Sequence, residues 1–72
     1  MNSYTLRKAL LPGKQFKVIN PYESWENTKG ETRTIKSISP RRFCIDYNNK
    51  DSIMVYDTNG AFWFMEEIRL LE

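Results

Sequence analysis

The chain has 72 residues, with eleven Lys and Arg, nine Asp and Glu, no histidine and one cysteine, and its formal net charge is +2. This length allows one domain over residues 1–72, and the 40% hydrophobic content excludes a disordered chain. Without histidine there is no imidazole base and no Ser/His or Cys/His nucleophile pair, and Cys44 alone forms no internal disulfide. We therefore expect a non-enzymatic protein that uses no cofactor and no metal.

The first predicted element is a short amphipathic helix over residues 3–11. Leu6 and Leu10 recur at helical spacing, and a Pro-Gly pair follows the segment and ends it. An extended arm is the alternative. In both cases residues 1–12 form an N-terminal extension, and residues 13–72 form the main fold.

Short β-strands are predicted after this extension. Residues 14–19 alternate between polar and apolar side chains, which is typical of a strand with one buried face. Residues 20–30 have no period and contain turn-forming residues, so they predict a long loop. In residues 31–39, Ile35 and Ile38 depart from strict alternation, which indicates a β-bulge or a bend.

Residues 41–47 alternate again and predict a strand with Phe43, Ile45 and Tyr47 facing the core. Further along, Asn59-Gly60 is typical of a two-residue type I′ hairpin turn. The predicted cross-strand pairs are Met54 with Met65, Val55 with Phe64, and Tyr56 with Trp63. The core face of this hairpin would hold Ile53, Val55, Phe62 and Phe64. The opposite face would hold Met54, Tyr56, Trp63 and Met65.

The last elements are a single helical turn at residues 66–67 and a short strand over residues 68–71. Short strands, a long first loop and tight later connections predict an all-β protein, folded as a small five-stranded closed barrel. Closure would remove the free sheet edges that promote aggregation.

Three segments resemble the SH3-like barrel proteins, including the KOW-type relatives: residues 13–18, 30–38 and 62–70. The resemblance implies an SH3-like barrel over residues 13–72. The chain is also similar to the small barrels encoded by phages and prophages, which implies an accessory protein that docks on and modulates a host or defence protein. The terminal Pro-x-x-Tyr of classical SH3 domains is absent, so the resemblance does not imply recognition of proline-rich peptides.

Exposed aromatic side chains are the candidate partner-binding residues, because Trp and Tyr are favoured at protein interfaces. The candidates are Tyr22, Trp25, Tyr56 and Trp63. The alternative for the second hairpin face is that Leu6 and Leu10 of the N-terminal helix cover it. The sequence leaves the protein partner unidentified, and it leaves open whether the chain is a monomer or a dimer.

A nucleic-acid-binding barrel is the alternative function, because phosphate contacts from basic residues combine with base stacking on aromatic rings. Its candidate residues are Arg33, Lys36, Arg41 and Arg42. Nine bases and three acids give residues 1–44 a charge of +6, and two bases and six acids give residues 45–72 a charge of −4. The sequence contains neither a run of about 18 apolar residues nor a signal-peptide pattern, so we expect a cytoplasmic protein with no membrane partner.

Overall fold

A computed structural model describes residues 7–40 and 43–71 of the chain. Residues 7–9 are helical, so the predicted helix is described only in part, and Leu6 lies outside the described residues. The strands are β1 (Gln15–Val18), β2 (Thr32–Ile38), β3 (Cys44–Ile45), β4 (Asp51–Ser52), β5 (Met54–Asp57), β6 (Phe62–Phe64) and β7 (Ile68–Leu70). Two 3₁₀ helices cover Glu23–Thr28 and Met65–Glu67.

Five strands form one antiparallel sheet in the order β6-β5-β2-β1-β7, and β3 pairs with β4 in a separate two-stranded sheet. The all-β prediction is therefore confirmed. Among the described residues, no helix is long and apolar enough to cross a membrane.

A single apolar cluster forms the core of the described structure. Its buried members are Leu10, Phe16, Val18, Ile35, Ile53, Val55, Trp63 and Ile68. Leu10 follows the helical residues and packs into this main core, not over a separate second face. The sheet therefore buries one face, and the N-terminal segment contributes to the same core.

The first two strands follow their predicted patterns. In β1, Phe16 and Val18 are both fully buried and point to the same face, as the alternation predicts. In β2, the register against β5 shifts between Ile35 and Ser37, so one extra residue, Lys36, is accommodated there. This irregularity is the bulge that the broken alternation predicts.

The predicted closed barrel is wrong, because the sheet is open, with β6 and β7 at its two edges. The 3₁₀ helix Met65–Glu67 joins these two strands directly, and they do not pair. The backbone N–H of Phe64 donates to the Glu67 carboxylate at 3.0 Å, and that of Met65 donates to the Ser52 hydroxyl at 3.0 Å. Side chains thus satisfy the donors at the end of β6 that strand pairing would otherwise use.

The second correction concerns residues 43–47, whose alternation is real but whose buried face is reversed. Phe43, Ile45 and Tyr47 are 40%, 62% and 45% exposed, whereas Asp46 is buried. The Asp46 carboxylate accepts the backbone N–H groups of Asn48 and Lys50, both at 2.8 Å. These hydrogen bonds compensate the burial of a charged group, so a polar residue takes the inward position.

The third correction is the register of the β5–β6 hairpin, which differs by one residue from the predicted pairing. The observed pairs are Met54 with Phe64, Val55 with Trp63, and Tyr56 with Phe62. A shift of one residue exchanges the two faces of a strand. Trp63 is accordingly 1% exposed in the core, and Phe62 is 44% exposed on the surface.

The loop length explains this shift. The N–H of Asp57 donates to the carbonyl of Ala61 at 2.9 Å, which leaves three residues, 58–60, in the loop. Gly60 has a φ of +90°, whereas Asn59 does not have the positive φ that a type I′ turn requires. Asp at the first position and Gly at the fourth are typical of a type I turn, which builds three-residue hairpin loops.

The observed register predicts that alanine substitution lowers stability much more at one of two adjacent aromatic residues than at the other. Trp63→Ala would remove a fully buried indole and should lower the free energy of unfolding by about 3–5 kcal/mol, enough to unfold most of so small a domain. Phe62→Ala should cost less than about 1 kcal/mol because Phe62 is 44% exposed and lies outside the core. Thermal melts followed by circular dichroism measure both variants, and the reverse order would show that the predicted two-residue turn is correct.

Gly60 allows a second test, which isolates the effect of backbone conformation on stability. A Cβ added at Gly60 would meet no heavy atom within 4 Å, so steric contact adds no cost. Gly60→Ala should lower the free energy of unfolding by about 1–2 kcal/mol, because an L-residue is strained at positive φ. D-alanine at the same position, introduced by chemical synthesis, should retain the stability of the parent in urea denaturation. Equal loss with both stereoisomers would contradict the left-handed conformation at this residue.

Candidate functional site

Four exposed aromatic side chains line one surface concavity of about 410 Å³, which we call the aromatic groove. These residues are Tyr22, Trp25, Tyr47 and Phe62, and their exposed fractions are 39%, 46%, 45% and 44%. They come from three separate segments: the β1–β2 connection, the β3–β4 loop and strand β6. Arg33 and Glu67 also line this groove, and they are the charged members among its described residues.

Tyr22 and Trp25 are held by the 3₁₀ helix that fills the predicted long loop. Its first turn is closed by a hydrogen bond from the Trp25 N–H to the Tyr22 carbonyl at 2.7 Å. The Tyr22 N–H donates to the Glu67 carboxylate at 3.3 Å, which connects the start of this helix to the second 3₁₀ helix, Met65–Glu67. The two aromatic rings therefore project from a loop whose backbone is fixed at both ends of its first turn.

Tyr47 reaches the groove because the β3–β4 loop turns sharply around the buried Asp46. Asn49 in that loop has a φ of 60°, the left-handed conformation that Asn tolerates better than most residues. The ring of Tyr47 packs against Tyr22 with 3.9 Å between ring centroids, and against Phe64 in an edge-to-face contact at 5.2 Å. Two loops that are distant in sequence thus meet through a pair of tyrosines.

Trp63 supports the groove from below. The ring of Trp25 makes an edge-to-face contact with the buried Trp63, with 5.9 Å between centroids. The Arg33 guanidinium lies 5.3 Å from the Trp63 ring centroid, within cation–π distance. Phe62, on the outer face of β6, contacts Phe64 at 6.1 Å. The exposed rings are therefore continuous with the aromatic part of the core.

A fully buried carboxylate, that of Asp57, organises the base of the groove. It accepts hydrogen bonds from Trp63 Nε1 at 2.8 Å and from Arg33 Nη1 at 2.9 Å. It also accepts the backbone N–H groups of Asn59 at 2.8 Å and Ala61 at 3.0 Å. Burial alone would raise the pKa of Asp57, but these donors outweigh it, so the net effect is a pKa below the usual value.

Glu67 is a second buried carboxylate, located at the end of the groove nearest Tyr22. It is 3% exposed and accepts the backbone N–H groups of Phe64 and Tyr22. Burial raises the pKa of Glu67, and the nearby carboxylates of Glu66 and Asp46 raise it further, although the two backbone donors offset part of this effect. The negative charge here is balanced by amides and not by a basic side chain of the described structure.

The predicted partner-binding residues are only partly brought together. Tyr22 and Trp25 both line the groove. Tyr56 is 37% exposed on β5 but does not line the groove. The prediction that Trp63 is an exposed contact residue is wrong, because the three-residue hairpin loop turns it into the core.

Of the four predicted nucleic-acid-binding residues, the structure describes two, Arg33 and Lys36. Arg33 is unavailable for phosphate contacts: its side chain is 10% exposed and pairs with Asp57 at 2.9 Å and Glu31 at 3.1 Å. Lys36 is exposed at the bulge of β2. Arg41 and Arg42 lie outside the described residues.

The groove also includes Tyr47, Phe62 and Glu67, which the sequence does not mark as binding residues. The alternation patterns place Tyr47 and Phe62 in the core, on the wrong face of their segments. The sequence signal that places Phe62 on the surface is the pair Asp57 and Gly60, which occupy the first and fourth positions of a turn. The sequence pattern marks Glu67 only as part of a helical turn and gives no sign of its contact with Tyr22.

The two buried carboxylates at the groove, those of Asp57 and Glu67, both accept hydrogen bonds from the protein. Within residues 7–40 and 43–71, no group of three or more His, Cys, Asp or Glu could hold a metal ion. Comparisons with protein-family models, with curated proteins and with solved structures found no match to this chain. The SH3-like and phage-type resemblance therefore stays a prediction.

The lowered pKa of Asp57 predicts a specific acid sensitivity. An acid whose pKa falls on folding stabilises the protein above its unfolded pKa, here about 3.8, and this stabilisation is lost as the pH falls through the folded pKa. Asp57→Asn should melt at a lower temperature at pH 7 but lose less stability between about pH 5 and pH 2. Asp51→Asn, which removes an exposed carboxylate, is the control. A carboxyl carbon of Asp57 that titrates by NMR at or above 3.8 would contradict this network.

Proposed function

We propose that this chain is a non-enzymatic protein-binding module, and that the aromatic groove takes up a segment of the partner. The observation that carries the proposal is the convergence of four aromatic side chains, each more than one-third exposed, on one concavity of about 410 Å³. Exposed apolar surface on a small domain marks an interaction site, and Tyr, Trp and Phe are enriched at the centres of interfaces.

The rigidity of the groove supports this proposal. Tyr22 and Trp25 stand on a hydrogen-bonded helical turn, and Tyr47 stands on a loop closed by Asp46. Aromatic side chains have few rotatable bonds, and these are further restrained by their ring contacts. A binding surface that is ordered before contact loses less conformational entropy when the partner binds.

Binding to nucleic acid is less well supported by the charges at the groove. Exposed rings could stack on bases, but phosphate binding needs basic side chains beside them. Arg33 is the basic residue at the groove within the described structure, and Asp57 and Glu31 neutralise it. We therefore favour a protein partner, and the similarity to small phage-encoded barrels makes a host or defence protein the first class to test.

Removal of a groove side chain should weaken partner binding without unfolding the domain. We expect Trp25→Ala and Phe62→Ala each to weaken binding at least about tenfold, because buried aromatic anchors dominate interface energies. Ile45→Ala is the matched control, since Ile45 is 62% exposed but outside the groove. Affinity capture from cells that express the chain identifies the partner, and titration of the purified pair gives the dissociation constants.

Equal binding by the parent protein and by the Trp25→Ala, Phe62→Ala and Ile45→Ala variants would contradict the proposed function. The nucleic-acid alternative is tested in the same experiment by titrating arbitrary oligonucleotides at several salt concentrations. Micromolar affinity that falls steeply with added salt, and that Arg41→Glu with Arg42→Glu abolishes, would favour nucleic acid. Partner binding through aromatic anchors should depend far less on salt.

A further inference from the structure

The aromatic groove continues into a second cavity, of about 310 Å³, on the far side of Tyr22. The two cavities share Tyr22 and Glu67, so one surface runs from the first into the second. The second cavity carries three carboxylates, those of Glu23, Glu66 and Glu67, and no basic residue among its described members. We call it the acidic cavity.

The negative charge of this cavity has little compensation from the described side chains. The Glu66 carboxylate accepts hydrogen bonds from the Asn48 amide at 2.7 and 2.9 Å, which satisfies part of its acceptor capacity without adding positive charge. Glu67 accepts only backbone amides. A basic residue, Lys29, appears in a third concavity that lies beside Glu23 and Glu26. The end of the aromatic groove therefore presents excess negative charge.

From this juxtaposition we propose that the partner segment is basic: an apolar side chain occupies the aromatic groove, and an adjacent Arg or Lys enters the acidic cavity. This inference rests on the proposed function and specifies the partner's chemistry. A guanidinium or ammonium group there would pair with Glu23 and Glu66 and could contact the exposed face of Tyr22. An acidic or phosphorylated segment would meet like charges instead, which costs affinity and excludes wrong partners.

The asymmetric structure of the site also fixes where the apolar and the basic side chains of the bound segment lie. The aromatic groove has Arg33 and Glu67 as its charged members, and Arg33 already pairs with Asp57 and Glu31. Accessible carboxylates that lack a basic partner in the described structure lie at one end only, at Glu23 and Glu66. The opposite placement would put an apolar group among the carboxylates of Glu23 and Glu66 and leave them without a cation to pair with.

The test selects peptides from a library of short random sequences on the full chain, and then measures the dissociation constants of the selected peptides. We expect enrichment of Arg and Lys beside an apolar residue, and binding that weakens at least about tenfold in Trp25→Ala and Phe62→Ala. Glu23→Gln and Glu66→Gln should each weaken binding about threefold to fivefold. Asp51→Asn removes the same charge outside both cavities and should leave binding unchanged.

Three results separate this inference from the function on which it rests. Selected peptides that require Trp25 but show no basic enrichment would overturn the basic-partner inference and leave the binding function intact. Basic peptides that bind Glu23→Gln, Glu66→Gln and Asp51→Asn with equal affinity would overturn it as well. If no selected peptide depends on Trp25 or Phe62, both the inference and the proposed function are wrong.

Discussion

The buried carboxylate of Asp57 is the interaction on which the rest of the structure depends. Four donors from three parts of the chain meet there: the Trp63 indole, the Arg33 guanidinium, and the backbone amides of Asn59 in the hairpin loop and Ala61 just after it. A carboxylate without these donors would be too costly to bury, and the donors without it would be left unsatisfied. The same atoms therefore fix the loop conformation, the inward position of Trp63 and the location of Arg33.

The aromatic groove is a consequence of that arrangement. Because the loop contains three residues, the strand that follows turns Trp63 into the core and Phe62 into solvent. Trp63 then supports the exposed ring of Trp25, while Phe62 becomes one wall of the aromatic groove. Neutralisation of Arg33 by Asp57 leaves the carboxylates beyond Tyr22 to set the charge of the surface. One buried ion pair thus influences both the shape and the electrostatics of the site.

Elements whose pattern is local could be predicted from the sequence, and elements set by a side-chain contact could not. The buried face of β1 follows from alternation, and the irregularity in β2 follows from its interruption. The hairpin register and the face of residues 43–47 depend on hydrogen bonds to Asp57 and Asp46, which no periodicity reveals. Loop aromatics such as Trp25 could be identified as binding candidates, whereas Tyr47 and Phe62 could not, because reversed faces assigned them to the core.

The walls of the aromatic groove come from two loop segments and from the outer face of β6, while the apolar core belongs mainly to the inner face of the sheet. The groove and the core are therefore formed by largely different residues. Under the proposed function, substitutions at Tyr22, Tyr47 or Phe62 would change the partner with little effect on the core around Phe16 and Val18. Such a scaffold would allow the binding surface to vary while the architecture stays the same.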